Sequence, residues 1–203
     1  MRSHRYLWAL GAVLLASCYD YSVPDSVVNG AVVATQQNPT FNYAGVTHYY
    51  LDPNAQAVSD SGTTTVDLNT YQGGIYKSIL TTIDSNMQAA GYTALNALPP
   101  QGTANTVGIK LTFLQGSVSV YYPGYWCDYW YYYNCYYTPS YVGSYNTGTM
   151  IIEMGDLSKT GTTTLPVAWL AAVYGVAGTA TYNTTLAVGG INRAFGQSPY
   201  LFH

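Results

Sequence analysis

The sequence predicts an α+β fold in which an antiparallel or mixed sheet of about five strands carries two helices on one face. Two patterns predict it. From Val107 to Phe113, apolar residues alternate with polar ones, as they do in a strand with one buried face. From Ile75 to Met87, large apolar residues recur every fourth position, as they do along the buried stripe of a helix.

The first strand is expected from Val46 to Leu51, and the polar residues 54–67 that follow are expected to form a loop. The first helix comes next. Asn69 or Thr70 can cap its start, and Gly91 suits the left-handed residue at its end.

The later elements follow from the same two patterns. Further strands are expected at 92–95, at 107–113 with a continuation to 122, at 148–154 and at 167–177. The second helix is expected from about Thr185 to Phe195, with Asn183 or Thr184 as its cap.

The N-terminal segment has the order of parts found in a bacterial lipoprotein signal. Arg2 and Arg5 supply the positive start, and an apolar run too short to span a bilayer follows. The run ends in Leu15-Ala16-Ser17-Cys18, which resembles the lipobox whose cysteine takes the lipid. An ordinary secretory leader with an incidental cysteine is the alternative.

The predicted organisation is a signal peptide at 1–17, a lipidated Cys18 with a flexible tether at 18–40, and one α+β domain at 41–203. Tyr19 stands where an aspartate would indicate retention in the inner membrane. We therefore expect a lipid anchor in the bacterial cell envelope, at the outer membrane.

The charge balance narrows the class of partner. Cleavage before Cys18 would leave four basic and nine acidic residues, a formal net charge near −5. Four scattered cations cannot neutralise a run of phosphates, so nucleic acid is not an expected partner. Electrostatic docking to an anionic membrane is equally disfavoured, and the lipid has to supply the membrane attachment.

An exported chain usually has an even number of cysteines, and this chain has three. Assigning Cys18 to the lipid leaves an even number. Cys127 and Cys135 then remain, and an oxidising compartment favours a disulfide between them. Zinc is the alternative, but a spacing of eight residues with no histidine nearby suits it poorly. We expect no metal and no cofactor.

Residues 121–145, which we call the Tyr/Trp-rich segment, hold eleven of the 23 tyrosines, two tryptophans and one charge, Asp128. The disulfide would make the segment a stapled hairpin or loop, because eight extended residues span far more than a bridge allows. The candidate binding residues are Tyr125, Trp126, Tyr129, Trp130, Tyr131, Tyr132, Tyr133, Tyr136 and Tyr137.

Three roles are open for these rings. Tyrosine combines a large apolar ring, a polar tip and few torsions, which suits contact with a protein partner. Ring faces also suit the C–H faces of sugars, so peptidoglycan or polysaccharide is an alternative ligand. The rings can equally stack on one another across strands as structural filler.

The sequence offers little for catalysis, and we expect no enzyme. Only His48 and His203 remain after cleavage, and no nucleophile-elbow or phosphate-binding glycine motif is present. Glu153 and Asp156 are the closest acidic pair and could serve a carboxylate-dependent hydrolase. Their spacing in a strand favours opposite orientation.

Residues 41–203 resemble the envelope lipoproteins catalogued as domain of unknown function 4136. The similarity lies in five stretches, in this order: Tyr50-Leu51-Asp52-Pro53, Met87-Gln88-Ala89-Ala90-Gly91-Tyr92, Gly148-Thr149-Met150-Ile151-Ile152-Glu153-Met154-Gly155-Asp156, Pro166-Val167-Ala168-Trp169 and Ile191-Asn192-Arg193-Ala194-Phe195. Leu170 stands where the family usually has a charge. The resemblance implies an α+β lipoprotein domain and no established activity.

Overall fold

The computed structural model describes residues 31–59, 61–74, 76–114, 121–123, 139–141, 148–159, 166–176 and 183–202 of the 203-residue chain. The strands within them are β1 (Val32–Gln37), β2 (His48–Ser59), β3 (Gly62–Asp67), β4 (Thr93–Ala94), β5 (Thr106–Leu114), β6 (Tyr121–Pro123), β7 (Pro139–Tyr141), β8 (Thr149–Asp156) and β9 (Val167–Tyr174). The α-helices are α1 (Lys77–Ala89) and α2 (Thr184–Gly196), and three short 3₁₀ turns lie at Tyr43–Gly45, Tyr71–Gly74 and Pro199–Leu201.

Seven of the described strands form one mixed sheet in the order β1-β9-β8-β5-β2-β3, with β4 beside the start of β2. β2 runs parallel to β5 and to β4, while the other pairs in this sheet are antiparallel. The α+β class is confirmed. The expected number of five strands was wrong, because the described part of the chain contributes seven to this sheet.

The two unexpected strands lie at the edges of the sheet. β3 comes from the Thr-rich stretch that was expected to be a loop, and β1 lies inside residues 18–40, which were expected to be a tether. Both strands are six residues long and mostly exposed, so neither shows a clear apolar alternation. Their threonines and valines still favour extended backbone. The sheet therefore begins at Val32.

Both helices pack on one face of this sheet and against each other. α1 buries Ile79, Ile83 and Met87, which belong to the stripe that the sequence indicates. The buried side of α2 consists of Ala187, Gly190, Ile191, Ala194 and Phe195. The strand side of the same core is made by Val107, Ile109, Leu111, Phe113, Met150, Ile152, Met154, Trp169, Ala171 and Val173.

The helix ends agree with the sequence at two of three predicted positions. Asn183 caps α2, since its side chain accepts a hydrogen bond from Leu186 N at 3.1 Å. Gly91 after α1 has a φ of +99°, the left-handed region that glycine tolerates. The expected cap at Asn69 or Thr70 was wrong. A 3₁₀ turn intervenes, and α1 begins after Tyr76 without a side-chain cap.

Buried polar side chains fasten the termini of the domain to its core. The indole N–H of Trp169 donates to Ser198 Oγ at 2.9 Å, which holds the C-terminal turn against β9. The hydroxyl of Tyr43 donates to the carbonyl of Ala168, and burial raises the pKa of Tyr43 to about 12. These bonds lie at one end of the sheet.

The strand pairings define the two ends of the sheet. At the end that we call the entry end, Ala31 leads into β1, β5 finishes at Leu114 and β8 begins at Thr149. Gly148 N donates to Leu114 O at 3.1 Å, so the two strands are closed together there. We call the opposite end, where β2 and β5 begin, the far end.

Both helices run from the entry end to the far end. Tyr76, just before α1, lies 6.5 Å from Phe113 near the finish of β5, measured between ring centroids. α2 starts beside Asn183, whose N–H donates to Val176 O just past β9. At its other end, the Phe195 ring lies 5.2 Å from that of Trp169, near the start of β9. The two helix N-termini therefore share the entry end.

Gly190→Ala is expected to destabilise the domain, because an added Cβ would lie 2.2 Å from Val173 Cγ1. Overpacking of this kind costs about 1–3 kcal/mol. Gly189→Ala is the matched control, since a Cβ there meets nothing within 4 Å. It should raise the free energy of unfolding by up to about 1 kcal/mol through helix propensity. Urea unfolding measures both, and equal stability of the two variants would contradict this packing.

Candidate functional site

The candidate residues named from the sequence lie outside the described residues. These are Cys18, Cys127, Cys135, Tyr125, Trp126, Tyr129, Trp130, Tyr131, Tyr132, Tyr133, Tyr136 and Tyr137. Of the Tyr/Trp-rich segment, the structure describes the backbone of β6 and β7. These strands pair antiparallel, with Tyr121 opposite Tyr141 and Pro123 opposite Pro139. Antiparallel pairing of two strands is the pairing found in a hairpin.

A row of buried charges crosses the middle of the main sheet, and the sequence reasoning did not identify it. Lys110 on β5 lies directly opposite Glu153 on β8. Asp52 on β2 lies on the other side of Lys110, close enough for its charge to act on the ammonium group. The three side chains are buried, with exposed fractions of 5% for Asp52, 2% for Lys110 and 3% for Glu153. We call these three residues the charged row.

The charged row lies on the sheet face opposite the helices. Lys110 stands between Ile109 and Leu111, whose side chains belong to the core under the helices. Successive side chains of a strand point to opposite faces, so Lys110 and its register partner Glu153 point away from that core. The two helices therefore do not bury the charged row.

An irregularity in β2 brings Asp52 into position. The register between β2 and β5 shifts between Leu51 and Ala55, so three residues of β2 stand where one would in a regular ladder. Pro53 lies in this bulge and has no N–H for a ladder bond. The Asp52 carboxylate closes the bulge by accepting from Asn54 N at 2.8 Å and from Asn54 Nδ2 at 3.0 Å.

Burial dominates the electrostatics of the charged row. Removal from water lowers the pKa of Lys110, while the carboxylates of Glu153 and Asp52 act in the opposite direction without outweighing burial. Burial, together with the negative charge of Asp52, raises the pKa of Tyr50 on the same strand. One cation between two carboxylates thus stands in surroundings that penalise any uncompensated charge.

Towards the entry end, this second face becomes apolar. Leu114, Ile151 and Ala172 form a buried cluster of their own, separate from the core under the helices. Val58, Leu170 and Tyr174 pack against it, and burial raises the pKa of Tyr174. This face thus has buried charges at its centre and buried apolar side chains at the end where β5 finishes and β8 begins.

The acidic pair considered from the sequence is separated by the sheet. Glu153 lies opposite Lys110, whereas Asp156 lies opposite Val107, a residue of the core under the helices. The two carboxylates therefore point to opposite faces and cannot flank one glycosidic bond. Asp156 instead accepts from Ser158 N at 2.9 Å and lies 3.8 Å from Lys159 Nζ.

The other side chains that could take part in catalysis or metal binding are dispersed over the described ranges. His48 Nδ1 lies 2.8 Å from the hydroxyl of Thr47, at the start of β2. Across the described ranges, no group of three His, Cys, Asp or Glu residues could hold a metal ion. No helix of these ranges is long and apolar enough to cross a membrane.

Comparison with known proteins gives one family match and similar solved structures. The family profile described as "Domain of unknown function (DUF4136)" matches residues 33–200. A crystal structure of a DUF4136 family protein from Bacteroides thetaiotaomicron is similar, with a TM-score of 0.60 and 27% identity over 86% of this chain and 98% of that one. A PelC dodecamer from Paraburkholderia phytofirmans gives a TM-score of 0.43 and 11% identity, over 85% of this chain and 99% of that one. No curated protein matches the sequence.

Lys110→Met is expected to lower the free energy of unfolding by about 3–5 kcal/mol, because it leaves buried carboxylates without their cation. Lys159→Met is the matched control. The Lys159 side chain is 55% exposed, so water screens its attraction to the Asp156 carboxylate 3.8 Å away, and the pair contributes at most about 1 kcal/mol. Urea unfolding at neutral pH compares the two, and similar small losses would show that the charged row is not held by mutual attraction.

Proposed function

The chain belongs to the DUF4136 family, a domain of unknown function, and we propose that it is a lipid-anchored, non-catalytic lipoprotein of the bacterial cell envelope. The observation that carries the proposal is the segment that ends in Leu15-Ala16-Ser17-Cys18. Two or three acyl chains on Cys18 would anchor the protein durably, since each buried methylene contributes about 0.8 kcal/mol. Tyr19 favours the outer membrane.

The fold supports a display role for the domain. The sheet begins at Val32, only fourteen residues after the last position of the lipobox-like sequence. The Tyr/Trp-rich segment is inserted between β5 and β8, two strands that are buried at every residue. A rigid pair of strands holding a segment rich in rings is the arrangement expected of an interaction module on a scaffold.

We therefore propose that the Tyr/Trp-rich segment is the interaction surface, stapled by a disulfide between Cys127 and Cys135. In a protein interface, its rings would supply large contact area at low entropic cost. The alternative ligand is a glycan, peptidoglycan or another polysaccharide, which the ring faces also suit. A role in catalysis is not proposed, because the acidic pair points to opposite faces of the sheet.

Intact-mass measurement of the protein extracted from membranes tests the anchor and the staple together. We expect a mature chain that begins at Cys18 with acyl chains on it, and we expect Cys127 and Cys135 to lack two hydrogens relative to two thiols. Cys18→Ser should release the protein from the membrane fraction. A chain that keeps residues 1–17 or carries no acyl group would overturn the proposed anchor.

Photo-crosslinking in cells from position 131, followed by mass spectrometry, tests the proposed surface. A single dominant protein adduct is expected. Replacing Tyr131, Tyr132 and Tyr133 with serine should abolish that adduct from a neighbouring probe position and leave the melting temperature nearly unchanged. Tyr71→Ser, an exposed tyrosine elsewhere in the domain, serves as the control and should keep the adduct. Loss of the fold in the triple variant would instead make the segment structural.

Co-sedimentation with purified peptidoglycan separates the glycan alternative from the protein one. Enrichment of the wild type over the triple serine variant would favour a glycan ligand. Equal sedimentation of the two would count against it.

A further inference from the structure

The charged row places one amine and two carboxyl groups on the same face of three neighbouring strands. Each member of the row follows a residue that packs in the core under the helices, and these preceding residues are Leu51, Ile109 and Ile152. Successive side chains of a strand point to opposite faces, so Asp52, Lys110 and Glu153 share the other face. Adjacent strands lie about 4.8 Å apart, a distance that the four-carbon side chain of lysine can cross.

Lys110 has the surroundings that turn an ammonium group into a nucleophile. It is 2% exposed, and removal from water lowers its pKa, which favours the neutral amine. Asp52, on the strand beside it, is 5% exposed. Transfer of a proton from the Lys110 ammonium to the Asp52 carboxylate gives a neutral amine beside a neutral carboxylic acid. This transfer removes two charges from a buried site.

The carboxyl group of Asp52 is arranged to accept an attacking amine. Its Oδ1 atom accepts from Asn54 N at 2.8 Å and from Asn54 Nδ2 at 3.0 Å. Two N–H donors on one carboxyl oxygen stabilise the negative charge that this oxygen carries when an amine adds to the carbon. Asn54 lies in the bulge of β2, so the irregularity that positions the carboxyl group also supplies both donors.

Glu153 supplies a group that can move the proton. It lies opposite Lys110 in the register of β5 and β8, and it is 3% exposed. A carboxylate in contact with the reacting groups can take the proton that the nitrogen loses on attack and deliver it to the departing oxygen. The row therefore combines a nucleophile, an activated carboxyl group and a proton carrier.

From this arrangement we propose that Lys110 and Asp52 condense to an isopeptide bond that links β5 covalently to β2, with Glu153 as the proton carrier. The lone pair of Lys110 Nζ forms a bond to Asp52 Cγ, and the bond between Cγ and Oδ2 breaks. Oδ1 stays as the amide oxygen. Glu153 passes one nitrogen proton to the departing hydroxyl, which leaves as water, so the step needs no oxidant and no second reactant.

The position of the row in the sheet favours the amide. Hydrolysis of an amide requires water, and the three side chains are shielded from it. The sheet also fixes the amine beside the carboxyl group, so the condensation is intramolecular. The bond joins two parallel central strands and depends neither on the lipid anchor nor on a binding partner.

Mass spectrometry of the purified full-length protein tests the bond. After reduction and unfolding, we expect the wild type to be lighter by one water molecule than its residues and any acyl chains require. Trypsin does not cleave after a lysine whose nitrogen is in an amide. The chain should therefore stay uncut after Lys110 and carry, as a branch through Asp52, the peptide that ends at Lys77.

The wild-type digest decides the proposal whether or not any variant folds. Separate peptides that end at Lys77 and at Lys110, with no branch between them, would overturn the bond. A loss of water that fragmentation places at other residues would overturn it equally. Absence of acyl chains at Cys18 would instead count only against the proposed anchor, because acylation and condensation change the mass in opposite directions.

Variants test the role of each partner. Lys110→Arg should abolish the branched peptide. Glu153→Gln keeps the shape of the side chain without its ability to carry a proton, and the branched peptide should fall by about tenfold or more in freshly purified protein. Lys159→Arg, at an exposed lysine beside Asp156, is the matched control and should keep the branch in full. An undiminished branch in a folded Glu153→Gln variant would overturn the role of Glu153 as the proton carrier.

Discussion

Burial of both faces of the central strand β5 is the constraint on which the rest of the structure depends. All nine residues from Thr106 to Leu114 are buried, including Lys110. The two helices bury one face, because their apolar stripes cover the alternate residues Val107 to Phe113. The other face carries a cation that no apolar layer can cover alone. The sheet therefore requires the carboxylates on the two neighbouring strands, because they compensate this positive charge.

This constraint also explains where reading the sequence succeeded and where it failed. The alternation around Ile109 and the stripe around Ile83 are local patterns, and both produced the expected elements. The same alternation suggested that the polar face of β5 meets water. It does not, since Lys110 is only 2% exposed. The carboxylates that act on Lys110 come from residues 52 and 153, which no local window contains. Local hydrophobic periodicity does not reveal that residues far away in the sequence bury a polar side chain.

The edge strands and the helix start were missed for different physical reasons. β1 and β3 are exposed six-residue edges, so they lack the apolar signal of a core strand. α1 does not start at Asn69, because the backbone N–H of Asn69 donates to the Asp67 carboxylate and a 3₁₀ turn follows. Asn183 was predicted correctly, since no other turn intervenes there. The bulge at Pro53 had a visible signal, a proline beside an aspartate in an apolar strand, but its consequence depends on register.

The pairing of β1 with β9 has a consequence for the order in which the protein can fold. The first strand of the chain finds its partner in a strand that finishes at Tyr174, and Ala31 is held by Arg193 on the last helix. Protein synthesis begins at the N-terminus, so the β1–β9 edge of the sheet cannot form until almost the whole chain has been made. Closing so long a loop is entropically slow, so the N-terminal region stays accessible to processing enzymes until late. For the proposed lipoprotein signal, this topology would leave Cys18 accessible to modification until the domain closes.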